Sequence, residues 1–255
     1  MQNLYVHVCI ATLQDIQKHD GMDLVNWNEI TPLELPRSMT LGELKELLIR
    51  EQVVNTDDRN LVALWKCVNR QNNTVRPVGL LANGDVNRSL GDVVRESFGF
   101  REKMLGRDDV IKIFVEQLDN PAEIDNTILL FFKHYQPLKA PHLQTVATLH
   151  VPNTEKIGHL LDWMRNYLKA HDGEEIAMFE EVSAKCITTL DPSHRFVDVD
   201  MELGGDIVTF QKVLGPAQIA ERFSALTPEE IATLPFGGKP IENAKDYYSY
   251  ICRGY

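Results

Sequence analysis

Cysteine is scarce in this chain of 255 residues, and what there is lies scattered. Cys9, Cys67, Cys186 and Cys252 make no C-x-x-C pair, which removes the common zinc spacings, and they outline no disulfide framework. Such usage fits a reducing compartment. Positive charge is in deficit too: 26 Lys and Arg stand against 37 Asp and Glu, a formal net charge of -11. That balance disfavours nonspecific nucleic-acid binding, which needs a basic footprint. It favours basic partners, or simply a solvated acidic surface. Long apolar runs are missing as well. No stretch approaches the roughly 20 residues that span a bilayer, so no membrane partner is expected. The opening MQNLYVHVCIATLQD lacks the basic and apolar regions of a signal peptide.

Catalytic and metal patterns are also wanting. The eight histidines show no H-E-x-x-H spacing. His134 and His150 would meet across a hairpin, as a surface pair rather than as ligands. No cysteine stands beside a Gly-Asn turn with a later His-box, so each reads as an ordinary small side chain. Gly237-Gly238-Lys239 lacks the Walker spacing. No catalytic residue, metal site or cofactor is expected in this chain.

What is present is strand and helix patterning, with 44% hydrophobic and 25% charged residues, the balance of a globular protein with a real core. Residues 4–13 read as a strand, 14–32 as a loop and Ile30 to Leu35 as a second strand. Thr40 and Glu43 make a capping box for LGELKELLIREQ, whose Leu41, Leu44, Leu47 and Leu48 share one face. Strands follow at Asn60 to Val68 and Val78 to Leu81, a short helix at Ser89 to Phe98, and a strand at Asp109 to Glu116. The polar stretch QLDNPAEIDN (117–126) is the expected domain boundary.

The order then repeats. Thr127 to Tyr135 and Thr145 to Val151 form a hairpin, and Asn153 or Thr154 caps a helix from Glu155 to Ala170. Strands return at Glu175 to Val182, Ile187 to Leu190 and Asp206 to Lys212. Gly42 in LGELKELL matches Gly158 in IGHLLDWM, Ala63 matches Ala177, and Asp109 in DVIKIFV matches Asp206 in DIVTFQK. Hairpin, helix, then two further strands is a β-grasp order. The expectation is therefore α+β: two tandem ubiquitin-like β-grasp domains, 1–118 and 127–213, followed by a helical tail, 214–255. In that tail Ala217 to Leu226 and Thr227 to Leu234 read as short helices, Pro235 to Pro240 as a break, and Asn243 to Cys252 as amphipathic.

The stretches LLFFKHYQP (129–137), MFEEV (178–182), GDIVTFQK (205–212) and PIENAKDYYSYI (240–251) resemble the C-terminal ubiquitin-like, viral-protein-binding domains of the herpesvirus-associated ubiquitin-specific protease family. LYVHV (4–8) and LPRSMTLGELKELL fit the preceding domain of that family. The resemblance implies a non-catalytic part of a deubiquitinating cysteine protease, in the nucleus and cytoplasm, that docks Lys-containing segments of substrates or regulators, with its own upstream protease domain as a further partner. It carries the docking role to Asp200 and Asp206 in DVDMELGGD. Asp198 and Glu202 stand beside them, while Met201 and Gly204 replace acids of the family pattern. Carboxylates on a rigid loop pair well with lysine. A solvated acidic turn and a calcium loop are the rival readings of the same stretch, the latter lacking the D-x-[DN]-x-[DN]-G pattern. At the level of the whole chain the rival is a stand-alone ubiquitin-like scaffold with no protease link; an upstream reading frame encoding a Cys box separates the two.

Overall fold

A computed structural model of the chain describes residues 4–81, 85–97, 110–183, 186–201 and 204–252. The chain divides into two compact units. Residues 1–16, 25–69 and 75–125 make the first, and residues 17–24, 70–74 and 126–255 the second. The helical segment 214–255 therefore belongs with the second unit.

In the first unit the strands are β1 (Tyr5–Thr12), β2 (Leu33–Pro36), β3 (Val62–Asn69), β4 (Val75–Leu80) and β5 (Val110–Gln117). They order as β2-β1-β5-β3-β4, with β1 and β5 parallel at the centre and the other neighbours antiparallel. Helix α2 (Leu41–Arg50) starts at the Thr40–Glu43 capping box expected from sequence. Its Leu41, Leu44 and Leu48 are buried against Val6, Val8, Leu64, Ile113 and Val115, while Leu47 is only partly covered. Helix α3 (Leu90–Ser97) adds Leu90, Val93 and Val94 to that core. Two expectations change. The supposed loop after β1 opens with a short helix, α1 (Leu13–Lys18), where Thr12 donates from its backbone and hydroxyl to Asp15 and Ile16 is buried. Strand β2 begins at Leu33 because Pro32 has no N–H to give a ladder.

The second unit repeats the plan with β6 (Thr127–Tyr135), β7 (Leu143–Pro152), β8 (Ile176–Ser183), β9 (Cys186–Thr189) and β10 (Asp206–Lys212). Their order is β7-β6-β10-β8-β9, and β6 and β10 are the parallel pair. Helix α4 (Leu160–Leu168) buries Leu160 and Met164 against Ile128, Leu130, Phe132, Val208 and Phe210. It starts later than the sequence predicts, and neither Asn153 nor Thr154 caps it. A turn of 3-10 helix, Ile157–His159, precedes it instead. The N–H groups of Ile157 and Gly158 donate to the carbonyls of His194 and Pro192, both at 2.9 Å. In the first unit Leu41 and Gly42 donate in the same way to Arg88 and Val86, at 2.9 and 2.8 Å. Each helix start is thus capped by the backbone of the segment that leads toward the last strand. This explains the paired glycines of the repeat. A Cβ on Gly158 would stand 2.8 Å from the Pro192 oxygen, and one on Gly42 would stand 3.2 Å from the Val86 oxygen.

The register of the repeat is corrected by the ladders. Val62 lies opposite Gln117, and Ile176 lies opposite Lys212. With Ala63 kept on Ala177, Asp206 then corresponds to Ile111 and not to Asp109, which lies outside the described residues. A slip of two residues preserves which face each side chain occupies, so alternation in the sequence does not reveal it.

The far face of the second sheet carries a buried polar cluster. Lys133 on β6 pairs with Glu181 on β8 at 2.9 Å, and both side chains are fully buried. The ammonium also donates to the carbonyls of Gly21, at 2.8 Å, and Asp23. Glu181 accepts in turn from the Asp23 N–H at 2.6 Å and from the Tyr248 hydroxyl, which lies 3.0 Å from Thr209 Oγ1. Tyr248 belongs to α8 (Ala244–Ile251), the last of the tail helices after α5 (Pro216–Ser224), α6 (Pro228–Ala232) and α7 (Pro235–Gly238). The expected break at 235–240 therefore holds one short helical turn. Helix α8 packs Ala244, Tyr247 and Tyr248 on Tyr135, Leu143 and Phe179. Gln211 on β10 clasps the same helix, donating to the Glu242 carbonyl and accepting from the Ala244 N–H.

Gly158→Ala is expected to lower stability by about 1–3 kcal/mol in urea unfolding, because the carbonyl it meets is backbone and cannot turn aside. Gly79→Ala, which meets nothing within 4 Å, serves as the comparison. Lys133→Met is expected to cost about 3–5 kcal/mol by leaving Glu181 buried and unpaired, and Lys133→Met with Glu181→Met to cost less than that single change. His134 is stacked on Phe210 and edge-on to Tyr167, and burial pushes its pKa down to about 4. The unfolded chain takes up this proton near pH 6.5 and the folded chain only near 4. Stability should therefore fall by about 1–3 kcal/mol as pH drops through that window. The slope should be smaller in His134→Phe, as read from urea midpoints at several pH values.

Candidate functional site in the acidic connector

The connector between β9 and β10 is held by apolar side chains. Phe196 opens a turn of 3-10 helix, Phe196–Val199, and is fully buried, as is Met201. Both belong to the core under α4, and the Met201 N–H closes back on the Phe196 carbonyl at 3.1 Å. With these two positions committed inward, Asp198 and Asp200 between them lie exposed. Met201, which stands where the resembled family has an acid, is a core residue here.

The sequence-predicted carboxylates have different surroundings. Asp198 is gripped by Arg195, whose Nε and Nη2 donate at 2.9 and 2.8 Å while its backbone N–H adds a third bond at 3.1 Å. Those hydrogen bonds hold the Asp198 carboxyl down at about 2. Asp200 sits in the left-handed region, at φ 60° and ψ 22°, a conformation that Asp tolerates better than most residues. Its carboxylate is exposed and has no ion-pair partner among the described residues. Glu202 lies outside the described residues.

Asp206 is the buried member of the set, 5% exposed at the start of β10. Its approach is made by two left-handed glycines, Gly204 at φ 75° and Gly205 at φ 78°. Gly205 donates to the Leu129 carbonyl at 2.6 Å, and a Cβ on Gly204 would stand 3.2 Å from the Leu129 nitrogen. The Asp206 carboxylate is paired with Arg70, whose other guanidinium nitrogen donates to the Gly204 carbonyl at 2.7 Å. Sequence reading passed over Arg70, placing it in the polar turn NRQNNT. A buried carboxylate calls for a cation, but nothing local marks one 136 positions away.

Among the described residues the connector thus presents one carboxylate without an ion pair (Asp200), one paired on the surface (Asp198) and one paired and buried (Asp206). Carboxylates accept hydrogen bonds and pair with ammonium and guanidinium groups. The other chemical candidates are placed differently. His150 lies opposite Leu129, and His134 opposite Gln144, so the two histidines do not meet across the hairpin. Cys9 and Cys67 are buried in strands, and burial pushes the Cys9 thiol up.

Comparison with known proteins gives the chain its family. The family described as the ICP0-binding domain of ubiquitin-specific protease 7 matches residues 62–253. Ubiquitin carboxyl-terminal hydrolase 15 of Schizosaccharomyces pombe is 25% identical over 229 residues, which are 84% of this chain and 19% of that protein. Ubiquitin C-terminal hydrolase 12 of Arabidopsis thaliana is 28% identical over 226 residues, 83% of this chain and 19% of that protein. The chain spans about a fifth of the length of these relatives. With the match reaching from β3 to the end of α8, the chain belongs to the family of the ICP0-binding domain of ubiquitin-specific protease 7.

Proposed function

We propose that this chain is a docking module of a ubiquitin-specific protease, binding Lys-containing segments of substrates or regulators through the acidic connector. The observation that carries the reading is Asp200: an exposed carboxylate in a left-handed conformation, on a turn fixed by buried Phe196 and Met201. Family membership supports a role in protein binding, since the family is described by the protein that its domain binds. The net charge of -11 favours basic partners. In this reading Asp200 makes the first contact with a lysine, and Glu202, two positions on in the sequence, adds its charge. Asp198 contributes through its charge while held by Arg195. Asp206 lies behind them with Arg70. Relatives named as hydrolases, about five times as long as the matched region, support a setting in which the module brings its partner, or the protease domain itself, to a site elsewhere. Action in the nucleus and cytoplasm is part of the same proposal.

An array of extended peptides, each bearing two lysines at varied spacing, is the probe. Binding is expected to vanish when both lysines become glutamine, and to weaken as salt rises from about 50 to 300 mM. Asp200→Asn should weaken the best peptide by about fivefold or more, close to 1 kcal/mol, by calorimetry. Asp206 is left intact in this test because Arg70 depends on it. Equal affinity of Asp200→Asn and the unaltered chain would falsify the assignment of the contact.

A further inference from the structure

Asp206 shares with Asp200 the docking role that the resemblance implies, yet it is the one that the chain has already used. Its side chain is 7% exposed, and that of Arg70, which covers it, is 23% exposed. The guanidinium does more than neutralise the acid. One nitrogen faces the Asp206 carboxylate and the other donates to the Gly204 carbonyl at 2.7 Å. A buried carboxylate beside a glycine carbonyl is a cradle for a cation, and it would take an ammonium or a guanidinium alike. Gly204 shapes it with a left-handed backbone packed against Leu129, where a Cβ would stand 3.2 Å from the Leu129 nitrogen.

Arg70 is delivered to this cradle by a short, well-bonded turn. The Arg70 N–H donates to the Thr74 carbonyl at 2.8 Å, and the Asn73 N–H to the Arg70 carbonyl at 3.0 Å. Asn72 Nδ2 donates to the Val182 carbonyl at 2.5 Å, and its Oδ1 accepts from the Thr74 hydroxyl at 2.7 Å. All of these residues, Val182 included, lie in the second unit. The arginine is therefore held in place by its own chain, at an effective concentration in the millimolar range.

We propose that Arg70 is a resident cation of the acidic connector: its guanidinium fills the position beside Asp206 and Gly204 that a partner's basic side chain needs, and so decides that Asp200 and not Asp206 is open to a partner. The partner's identity as a lysine-bearing segment rests on the docking reading above; the cation cradle itself does not. Arg70 is in this sense a specificity-determining residue. A segment with one basic side chain finds its place at Asp200, whereas a second basic side chain aimed at Asp206 meets a competitor that is part of the chain.

The experiment uses the full chain, Arg70→Ala, and Arg70→Ala with Asp206→Asn. Methylguanidinium chloride, at tens of millimolar and constant ionic strength, is the probe of the cradle. It is expected to raise the melting temperature of Arg70→Ala by about 2–4 °C relative to sodium chloride, and to leave the other two proteins unmoved. Equal shifts in all three proteins would overturn the cradle. The lysine-bearing peptides form the second arm. Arg70→Ala should bind a two-lysine peptide about tenfold more tightly than the unaltered chain, with the gain lost when Asp206→Asn is added. Unchanged or weaker binding by Arg70→Ala would overturn the competition. Should Arg70→Ala respond to methylguanidinium while no protein binds any peptide, the cradle stands and the docking reading fails. Should Arg70→Ala not fold, Arg70→Lys decides: folding close to that of the unaltered chain supports a cation requirement, and failure to fold overturns it.

Discussion

The second unit depends on a charge pair that has no water to fall back on. Lys133 and Glu181 stand on strands separated by β10, with their side chains wholly buried. Two such ions are costly to bring out of water, and the cost is offset only if every donor and acceptor finds a partner. Here the ammonium divides its donors among Glu181 and the carbonyls of Gly21 and Asp23. The carboxylate answers with bonds from the Asp23 backbone and Tyr248. A pair of this kind is a specificity device more than a source of stability. It accepts one arrangement of residues 17–24 and of α8 over the sheet, where a purely apolar face would accept several.

This constraint divides the sheet into two faces with different jobs. The face toward α4 is mainly apolar, from Ile128, Leu130 and Phe132 to Val208 and Phe210, with His134 stacked on Phe210. The opposite face mixes Tyr135, Phe179 and Leu143 with Lys133, Glu181, Thr209 and Gln211, and every one of these is buried. The aromatic rings supply area while the polar tips fix position. The acidic connector enters β10 at the edge of this arrangement, so the placement of Asp200 and Asp206 follows from packing beneath them.

Much of the fold was legible because it rests on local rules. The Thr40–Glu43 capping box, the leucines of α2, the exact run of β6 and the Thr227–Pro228 helix start were all readable from residue type and spacing. What escaped was long-range. Lys133 reads as a break in an apolar strand until Glu181, 48 positions on, is known to face it. The start of α4 was misplaced because its cap is a pair of backbone carbonyls, and a carbonyl leaves no trace in the sequence. The Asp109–Asp206 match was misled by two strands that each begin with Asp before an apolar run. At the connector the acids themselves stood out, but their exposure did not: Phe196 and Met201 determine which point outward, and Arg70 determines which is already taken.

The buried anchors at Phe196 and Met201 also bear on how quickly partners come and go. The turn from 196 to 201 is ordered before any partner arrives, so the loss of conformational freedom on binding falls on the incoming segment alone. A flexible segment that must be immobilised to bind is released readily once its few ionic contacts loosen. Residence time on this surface is then a property of the partner's stiffness as much as of the connector's charge.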